Sequence, residues 1–272
     1  MNITAAVLQL KPQGSVSDNL QHAESLLQEA AKAGAQLAVL PENFAYYGHS
    51  DFLAAGRAEA NDRGPVCQFL AQQAKKHSLW LVGGTIPVAE SKPQSFARCY
   101  VVSPQAETVG HYDKIHLFDA DLASREGNSA YRESDDFSAG DLVKTVATDL
   151  GTLGLTVCYD LRFAELFQRL AKSGAEIITV PSAFTAVTGE AHWQLLLRAR
   201  AVENQLFVLG ANMVDRSHLS RGLWGGSAII DPWGNVLASL DDQPGIAVAE
   251  IDLGLIAEYR RKIPMTQHRK LI

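Results

Sequence analysis

The first fifty residues alternate between short apolar runs and one amphipathic segment. Residues 3–10 and 37–40 are short and almost wholly apolar, whereas residues 19–32 repeat leucine and alanine at intervals of three and four. Spacing of that kind predicts a helix with one buried face, and short apolar runs predict buried strands. The order strand, helix, strand indicates an α/β protein.

The same alternation continues along the rest of the chain. Further strands are predicted at 79–86, 98–103, 143–148, 153–157, 206–211, 227–230, 236–239 and 246–251. Further helices are predicted at 66–77, 164–171, 191–204 and 253–260. Because this many strands exceeds one ordinary sheet, we predict two sheets packed together between two helical layers, a four-layer α-β-β-α sandwich. No linker rich in Pro, Gly or Ser divides the chain, so one domain over residues 1–272 is expected.

Two segments of the chain share nearly the same pattern. AKAGAQLAVLP at 31–41 and AKSGAEIITVP at 171–181 each combine a helix end, a glycine, a short buried strand and a proline. Glycine commonly ends a helix because it adopts positive φ, and proline cannot donate to a sheet ladder. Such units recur in any α/β protein, but the closeness of these two favours a sharper interpretation, two pseudo-symmetric halves.

Composition and charge narrow the classes of function. Hydrophobic residues make up 47% and charged residues 20%, which suits a buried core and excludes a disordered chain. The net charge of −6 offers no basic field for a phosphate backbone, so nucleic acid is not an expected partner. No apolar run approaches the roughly 18 residues of a membrane helix, and the N-terminus lacks a signal-peptide pattern. We expect a cytoplasmic protein with no membrane partner.

The cysteines and histidines do not indicate a metal or a disulfide framework. Cys67, Cys99 and Cys158 are odd in number and widely spaced, with no C-x-x-C pair. His111 and His116 are five residues apart in a mixed segment, where surface or strand positions are the simpler interpretation. The common serine-hydrolase, nucleotide-binding and zinc-protease motifs are also missing from the sequence. No cofactor is expected.

Cys158 follows a short apolar strand and precedes a predicted helix. A thiol at such an elbow projects above the end of the sheet, where N–H groups of the next turn point at an oxyanion and the helix N-terminus favours a thiolate. The alternative is a small buried side chain, the usual role of a free cysteine.

Glu42 and Lys114 favour the interpretation of Cys158 as a catalytic thiol over that of a buried side chain. Glu42 follows the apolar run at 37–40, at the end of a sheet where α/β proteins place their sites, and Lys114 lies in a strand-like run at 112–117. Singly, Glu42 could cap a loop and Lys114 could be solvated. Together, a thiol, a carboxylate that takes its proton and an ammonium that stabilises an oxyanion form a set for nucleophilic acyl transfer.

The segments that contain these residues resemble, in order, the three signatures of the nitrilase superfamily of carbon–nitrogen hydrolases. They are LPE at 40–42, YDKIHLF at 112–118 and GLTVCYDLRF at 154–163. The resemblance implies an α-β-β-α sandwich with two pseudo-symmetric halves, which forms a homodimer across one helical layer. It also implies Cys158 as nucleophile, Glu42 as general base and Lys114 as oxyanion stabiliser, without a metal.

The family has a second glutamate after the lysine signature, and RES at 132–134 matches its setting. Glu133 is therefore the expected counterpart. It falls in the stretch 118–141, the longest without periodicity, and a loop of that length is usually functional or mobile. The alternative is that Glu133 is one more surface carboxylate of this loop, beside residues such as Asp135.

Later parts of the chain resemble the Nit branch of the family, whose members hydrolyse amides of α-keto acids. These parts lie at 181–189, 191–193, 198–201 and 267–269. The resemblance implies a small-molecule substrate, deaminated glutathione, with α-ketoglutaramate or an N-carbamoyl amino acid as alternatives. A different class of function is a binding module or a redox-sensing thiol, which has no reason to keep Glu42, Lys114 and Cys158 together.

Four side chains are expected to line the substrate pocket: Tyr46, Tyr159, Arg162 and Phe184. Structural roles are as ordinary for two of them, since Arg162 could pair with a neighbouring carboxylate and Phe184 could lie in the core.

Overall fold

Two β-sheets form the centre of the structure, a computed structural model that describes residues 1–49, 51–90, 93–120, 131–217 and 222–270. The strands are β1 (Asn2–Gln9), β2 (Leu37–Val39), β3 (Trp80–Val82), β4 (Ile86–Val88), β5 (Phe96–Val102), β6 (Thr108–Asp113), β7 (Asp119–Ala120), β8 (Tyr131–Arg132), β9 (Thr145–Thr148), β10 (Gly151–Leu155), β11 (Ile177–Ser182), β12 (Phe207–Asn212), β13 (Val214–Asp215), β14 (Leu223–Trp224), β15 (Ala228–Ile230), β16 (Val236–Ser239) and β17 (Gly245–Asp252).

The helices are α1 (Val16–Lys32), α2 (Phe52–Ala58), α3 (Pro65–His77), α4 (Ala164–Lys172), α5 (Ala186–Thr188), α6 (Gln194–Asn204), α7 (Gly254–Lys262) and α8 (Met265–His268). A π-helical turn at Gly189–Trp193 joins α5 to α6. Short 3₁₀ turns lie at Ala60–Asp62, Glu133–Asp135 and Cys158–Arg162. Within the described ranges, no helix is both long enough and apolar enough to span a bilayer.

Each large sheet has three parallel strands at its centre and antiparallel strands beside them. The first sheet runs β17-β1-β2-β3-β5-β4, with β6 also paired to β5. The second runs β16-β15-β12-β11-β10-β9. The parallel strands are β1, β2 and β3 in the first sheet and β10, β11 and β12 in the second. Parallel strands require helical crossovers, which is why helices lie between them in sequence.

The alternation of side chains along β1 shows how the layers are built. Ile3, Ala5 and Val7 belong to the core that also contains the second sheet, while Ala6 and Leu8 pack in the core formed with α1 and α3. Successive strand residues point to opposite faces, so a strand buried on both sides must lie between two layers. On the second sheet, α4 and α6 pack against β10 and β12. The predicted four-layer order, helices, sheet, sheet, helices, is confirmed.

The repeated segments adopt the same local structure. Gly34 and Gly174 have φ of 83° and 89° just after α1 and α4. The next N–H, of Ala35 and of Ala175, donates across each turn to the carbonyl five residues earlier at 3.0 Å. Each turn then leads into a strand parallel to the one before the helix. The two halves predicted from the sequence therefore have the same strand, helix, glycine turn and parallel strand.

Several element boundaries differ from the prediction, and three of these differences concern segments near the site. The expected strand at 79–86 is divided into β3 and β4, because Gly84 (φ +60°) lies so close to Pro41 that a Cβ there would meet the Pro41 carbonyl oxygen at 2.1 Å. Pro41 ends its strand as expected, but Pro181 lies inside β11. It is tolerated there because the pairing of β10 with β11 stops at Thr179. The strand-like run at 112–117 ends at Asp113, so Lys114 follows β6 rather than lying within it.

Candidate active site

Three strand ends bring the predicted site residues together. Glu42 lies beyond the end of β2, Lys114 directly follows β6, and Cys158 opens the 3₁₀ turn after β10. All three are buried, with residue exposures of 4%, 1% and 8%. Because β2 and β6 belong to the first sheet and β10 to the second, the site forms where the two sheets face each other.

Lys114 is enclosed by two carboxylates. Its Nζ donates to Glu42 Oε1 at 2.7 Å and to both oxygens of Glu133, at 2.9 and 2.8 Å. Burial alone would lower the pKa of Lys114, but the charges of Glu133 and Glu42 outweigh it and hold that pKa well above its ordinary value. Lys114 is therefore a fixed cation beside the thiol.

Glu133 is part of this cluster and not a surface carboxylate of its loop. Only 3% of the residue is exposed, whereas Asp135 in the same 3₁₀ turn is exposed. The backbone N–H of Phe118 donates to Glu133 Oε2 at 2.6 Å. Burial raises the pKa of Glu133, and the charge of Lys114 opposes that rise without cancelling it. Part of this loop, residues 121–130, lies outside the described residues.

Glu42 is held from both sheets. Its Oε1 accepts from Lys114 on the first sheet, and its Oε2 accepts from the backbone N–H of Ala183, just after β11 of the second sheet, at 2.9 Å. Two fixed donors leave the carboxylate little rotational freedom. The sequence prediction did not include Ala183. The signal that could have found it is the repeat itself, since Ala183 follows Pro181 as closely as Asn43 follows Pro41.

Cys158 has an unusual backbone conformation. Its φ is +45°, in the left-handed region that a residue with a side chain seldom adopts, and such residues concentrate at functional sites. Burial raises the pKa of its thiol, the nearby charge of Glu42 raises it further, and Lys114 only partly opposes this. The resting group is a thiol, and the thiolate expected from a helix N-terminus is not supported, because burial and Glu42 dominate. Ionisation of Cys158 therefore requires a base.

A pocket of about 240 Å³, part of it open to solvent, lies against Cys158. Its lining includes three of the side chains predicted to contact substrate, Tyr159, Arg162 and Phe184. Tyr46 is not among the lining residues; it is buried in the core of the first sheet, where its hydroxyl donates to Glu59 at 2.8 Å. A tyrosine four residues after Glu42 is close in sequence, but the chain turns away from the pocket before reaching it.

Arg162 lines the pocket between aromatic side chains. Its guanidinium lies over the rings of Tyr159 and Phe184, 5.7 and 5.2 Å from their centroids. Its Nη1 is 3.2 Å from Nδ1 of His192 in the π-helical turn. Because a guanidinium only donates, His192 accepts through Nδ1. The carboxylate partner considered for Arg162 is not found in the described part of the chain, whereas Phe184 is both a pocket wall and a buried side chain against Trp193.

Four lining residues were not predicted: Phe118, Ala183, Thr185 and Thr188. His111 and His116 serve structural contacts, His111 against the ring of Tyr100 and His116 against Asp160. Among the residues that the structure describes, no group of three or more His, Cys, Asp or Glu side chains is placed to hold a metal ion.

The sequence matches the carbon-nitrogen hydrolase family over residues 4–261. Deaminated glutathione amidase of Yersinia enterocolitica is 37% identical over 273 residues, covering 100% of this chain and 94% of that protein. Omega-amidase NIT2 of Mus musculus is 40% identical over 266 residues, covering 97% of this chain and 94% of that protein.

Solved structures agree with this assignment. Saccharomyces cerevisiae Nit3, described as a member of branch 10 of the nitrilase superfamily, superposes with a TM-score of 0.87 at 32% identity, over 99% of this chain and 97% of that one. The two-sheet frame with its buried thiol, carboxylates and ammonium is that of a hydrolase. The chain belongs to the carbon-nitrogen hydrolase family.

Proposed function

We propose that the protein hydrolyses the amide bond of a small α-keto acid amide through a thioester on Cys158. The observation that carries the proposal is the convergence of Glu42, Lys114 and Glu133 within 2.9 Å contacts beside a buried thiol that opens into a pocket. Acyl transfer needs a nucleophile, a base and a cation for the oxyanion. All three are present without a histidine.

In the first step Glu42 accepts the Cys158 proton as sulfur attacks the amide carbonyl. The raised pKa of the thiol makes this base necessary, and Glu42 lies near enough for its charge to contribute to that rise. Negative charge develops on the carbonyl oxygen, where Lys114 Nζ and the backbone N–H of Tyr159 stabilise it. The C–N bond then breaks, and the proton held by Glu42 goes to the leaving amine or ammonia.

In the second step Glu42 takes a proton from water as the water oxygen attacks the thioester. The C–S bond breaks, the carboxylic acid leaves, and the proton returns to the Cys158 sulfur. Glu133 does not exchange a proton in this scheme. It keeps Lys114 protonated and aimed, because both of its oxygens accept from Nζ.

The pocket favours an acidic substrate with an apolar middle. Arg162 supplies a planar guanidinium that can donate two hydrogen bonds to one carboxylate. The rings of Phe118, Tyr159 and Phe184 form the aromatic part of the pocket wall. We propose deaminated glutathione as the substrate, in line with the relatives named deaminated glutathione amidase. The relatives named omega-amidase, 38–40% identical, make α-ketoglutaramate the second candidate.

A substrate panel tests the proposal. Deaminated glutathione, α-ketoglutaramate, an N-carbamoyl amino acid and a simple nitrile are compared by the kcat/KM for release of amine or ammonia. We expect the highest value for deaminated glutathione. A higher value for α-ketoglutaramate reassigns the substrate, turnover of the nitrile alone overturns the reaction class, and saturable binding without turnover indicates a binding module.

We also propose that the protein acts as a cytoplasmic homodimer. The three free thiols suit a reducing compartment. Leu195 and Val202 on α6, with Trp233 on the adjoining turn, leave apolar side chains exposed on one helical layer. Light scattering after size exclusion tests the proposal: we expect twice the chain mass, and a charge at Leu195 should return the protein to a monomer.

A further inference from the structure

Asp160 joins the two chain segments that carry Lys114 and Cys158. It lies two residues after Cys158 in the 3₁₀ turn, and its side chain is completely buried. The segment it contacts, residues 112–116, comes from the other sheet and contains Lys114 at its centre.

One oxygen of the Asp160 carboxylate is hydrogen-bonded to the Lys114 segment alone, and the other is hydrogen-bonded to both segments. Oδ1 accepts from the backbone N–H of His116 at 3.1 Å and from His116 Nδ1 at 2.7 Å. Oδ2 accepts from the Tyr112 hydroxyl at 2.7 Å and from the backbone N–H of Val157 at 2.9 Å. Tyr112 and His116 flank Lys114 by two residues on either side, and Val157 directly precedes Cys158.

The same residue holds the strained backbone of Cys158. The Asp160 N–H donates back to the Val157 carbonyl at 2.9 Å, so Val157 is tied to Asp160 through both its N–H and its C=O. A left-handed residue such as Cys158 persists only where its surroundings over-determine it. On the other side, the His116 ring is stacked on Phe163, 3.7 Å between centroids and 6° between planes, which keeps Nδ1 directed at Asp160.

We propose that Asp160 is a positioning residue that sets the distance between Lys114 Nζ and Cys158 Sγ through its hydrogen bonds to both segments. It does not touch the substrate or the reacting atoms. The inference rests on the proposed function, since the distance matters only if the cation stabilises an oxyanion formed at Cys158. A displacement of about 1 Å between such groups lowers rates on the order of 100-fold.

Asparagine in place of Asp160 retains the shape but not the acceptors. Four donors converge on the carboxylate, two on each oxygen. An amide has only one acceptor oxygen, so its NH₂ group must face a backbone N–H, either of Val157 or of His116. That contact is repulsive and leaves a buried donor unpaired, which should shift one segment relative to the other.

Asp231 provides a matched control. It is also buried, and it accepts from the N–H groups of Trp233 and Asn235 and from Asn235 Nδ2, each at 2.8 Å, in the turn between β15 and β16. We compare Asp160→Asn with Asp231→Asn by kcat and KM on an α-keto acid amide, by melting temperature, and by the rate at which iodoacetamide labels Cys158, followed by peptide mapping.

Asp160→Asn should lose more thermal stability than Asp231→Asn, in which the amide oxygen still accepts from both backbone N–H groups. Only Asp160→Asn should lose kcat, by about 10- to 100-fold with KM changed by less than about threefold. Cys158 labelling should be slower in Asp160→Asn and unchanged in Asp231→Asn. A kcat equal to that of the control, or faster labelling of Cys158, overturns the proposal, because Asp160 would then only stabilise the fold or shield the thiol.

Two single-donor variants cover the case in which Asp160→Asn does not fold. Tyr112→Phe and His116→Phe each remove one side-chain donor while keeping a ring, and each should lower kcat by roughly three- to tenfold; unchanged values in both overturn the proposal. The labelling ratio separates this inference from the proposed function. If the wild type hydrolyses no α-keto acid amide, the proposed function fails, while slower labelling in Asp160→Asn still shows that Asp160 positions the thiol.

Discussion

The two halves of the molecule share a backbone frame but place different chemistry on it. Ala5 pairs with Leu37 in the first sheet as Leu153 pairs with Ile177 in the second, so these two pairs are equivalent. Five residues beyond Ala5 and Leu153 lie Leu10 and Cys158, which are therefore equivalent positions. Five residues beyond Leu37 and Ile177 lie Glu42 and Ser182, which are equivalent in the same way. Leu10 is a core residue, 1% exposed, and the Ser182 hydroxyl donates within its own strand to Val180.

This difference shows how the site is divided. The first half supplies a base after its second parallel strand, and the second half supplies a thiol after its first parallel strand. The two equivalent positions, Leu10 and Ser182, are used for packing. Because the sheets face each other, the strand ends meet, and the Ala183 N–H of one half reaches the Glu42 carboxylate of the other. Neither half alone holds a nucleophile and its base.

The largest effect should come from removing the thiol. Cys158→Ala should fold with an unchanged far-UV spectrum and lose activity by about 1,000-fold or more, since no second cysteine lines the pocket among the described residues. Cys67→Ala is the control, because Cys67 lies in the first half beside Glu59 and away from the pocket. Steady-state rates of the two variants decide the point, and equal rates would remove Cys158 from the mechanism.

The second-largest loss of activity should come from removing the base. Glu42→Gln preserves shape but removes proton transfer, and we expect kcat to fall on the order of 100-fold or more. Its counterpart in the other half, Ser182→Ala, loses one buried hydrogen bond worth about 1 kcal/mol and should keep kcat within about twofold. If the two variants have similar kcat values, the asymmetry between the halves is not catalytic.

Parts of this arrangement could be predicted from the sequence and parts could not. The repeat at 31–41 and 171–181 revealed the halves because helix-ending glycines and buried strands are local signals. The split of β3 from β4 at Gly84 depends on its approach to Pro41, which is a tertiary contact. The bonds of Ala183 to Glu42 and of Asp160 to His116 depend on how the sheets dock, which no local pattern encodes.

A smaller effect is expected for Glu133. Glu133→Gln should lower kcat by about tenfold and change KM less, because the amide keeps one acceptor for Lys114 but not the charge that holds it protonated. Asp135→Asn, an exposed residue of the same turn, is the control and should resemble the wild type. Equal kcat values for the two variants would place Glu133 outside the catalytic machinery.

The smallest effect is a pH dependence. Because burial and Glu42 raise the pKa of Cys158, the thiolate fraction is low at pH 7 and grows with each unit of pH. Iodoacetamide labelling of Cys158 should therefore still be accelerating above pH 9, the reverse of a cysteine whose pKa is lowered. A labelling rate that is constant from pH 7 upward would mean that the thiolate is already formed at rest.

The covalent intermediate is the most direct test of the claim that the two halves meet to acylate Cys158. The wild type is mixed with deaminated glutathione, quenched with acid at short times, and analysed by intact mass and peptide mapping. We predict a mass increase equal to the acyl group on the peptide that contains Cys158, which decays as substrate is used up and is absent in Glu42→Gln at the same times. Turnover with an adduct on a different residue, or stoichiometric binding with neither adduct nor product, would contradict the account.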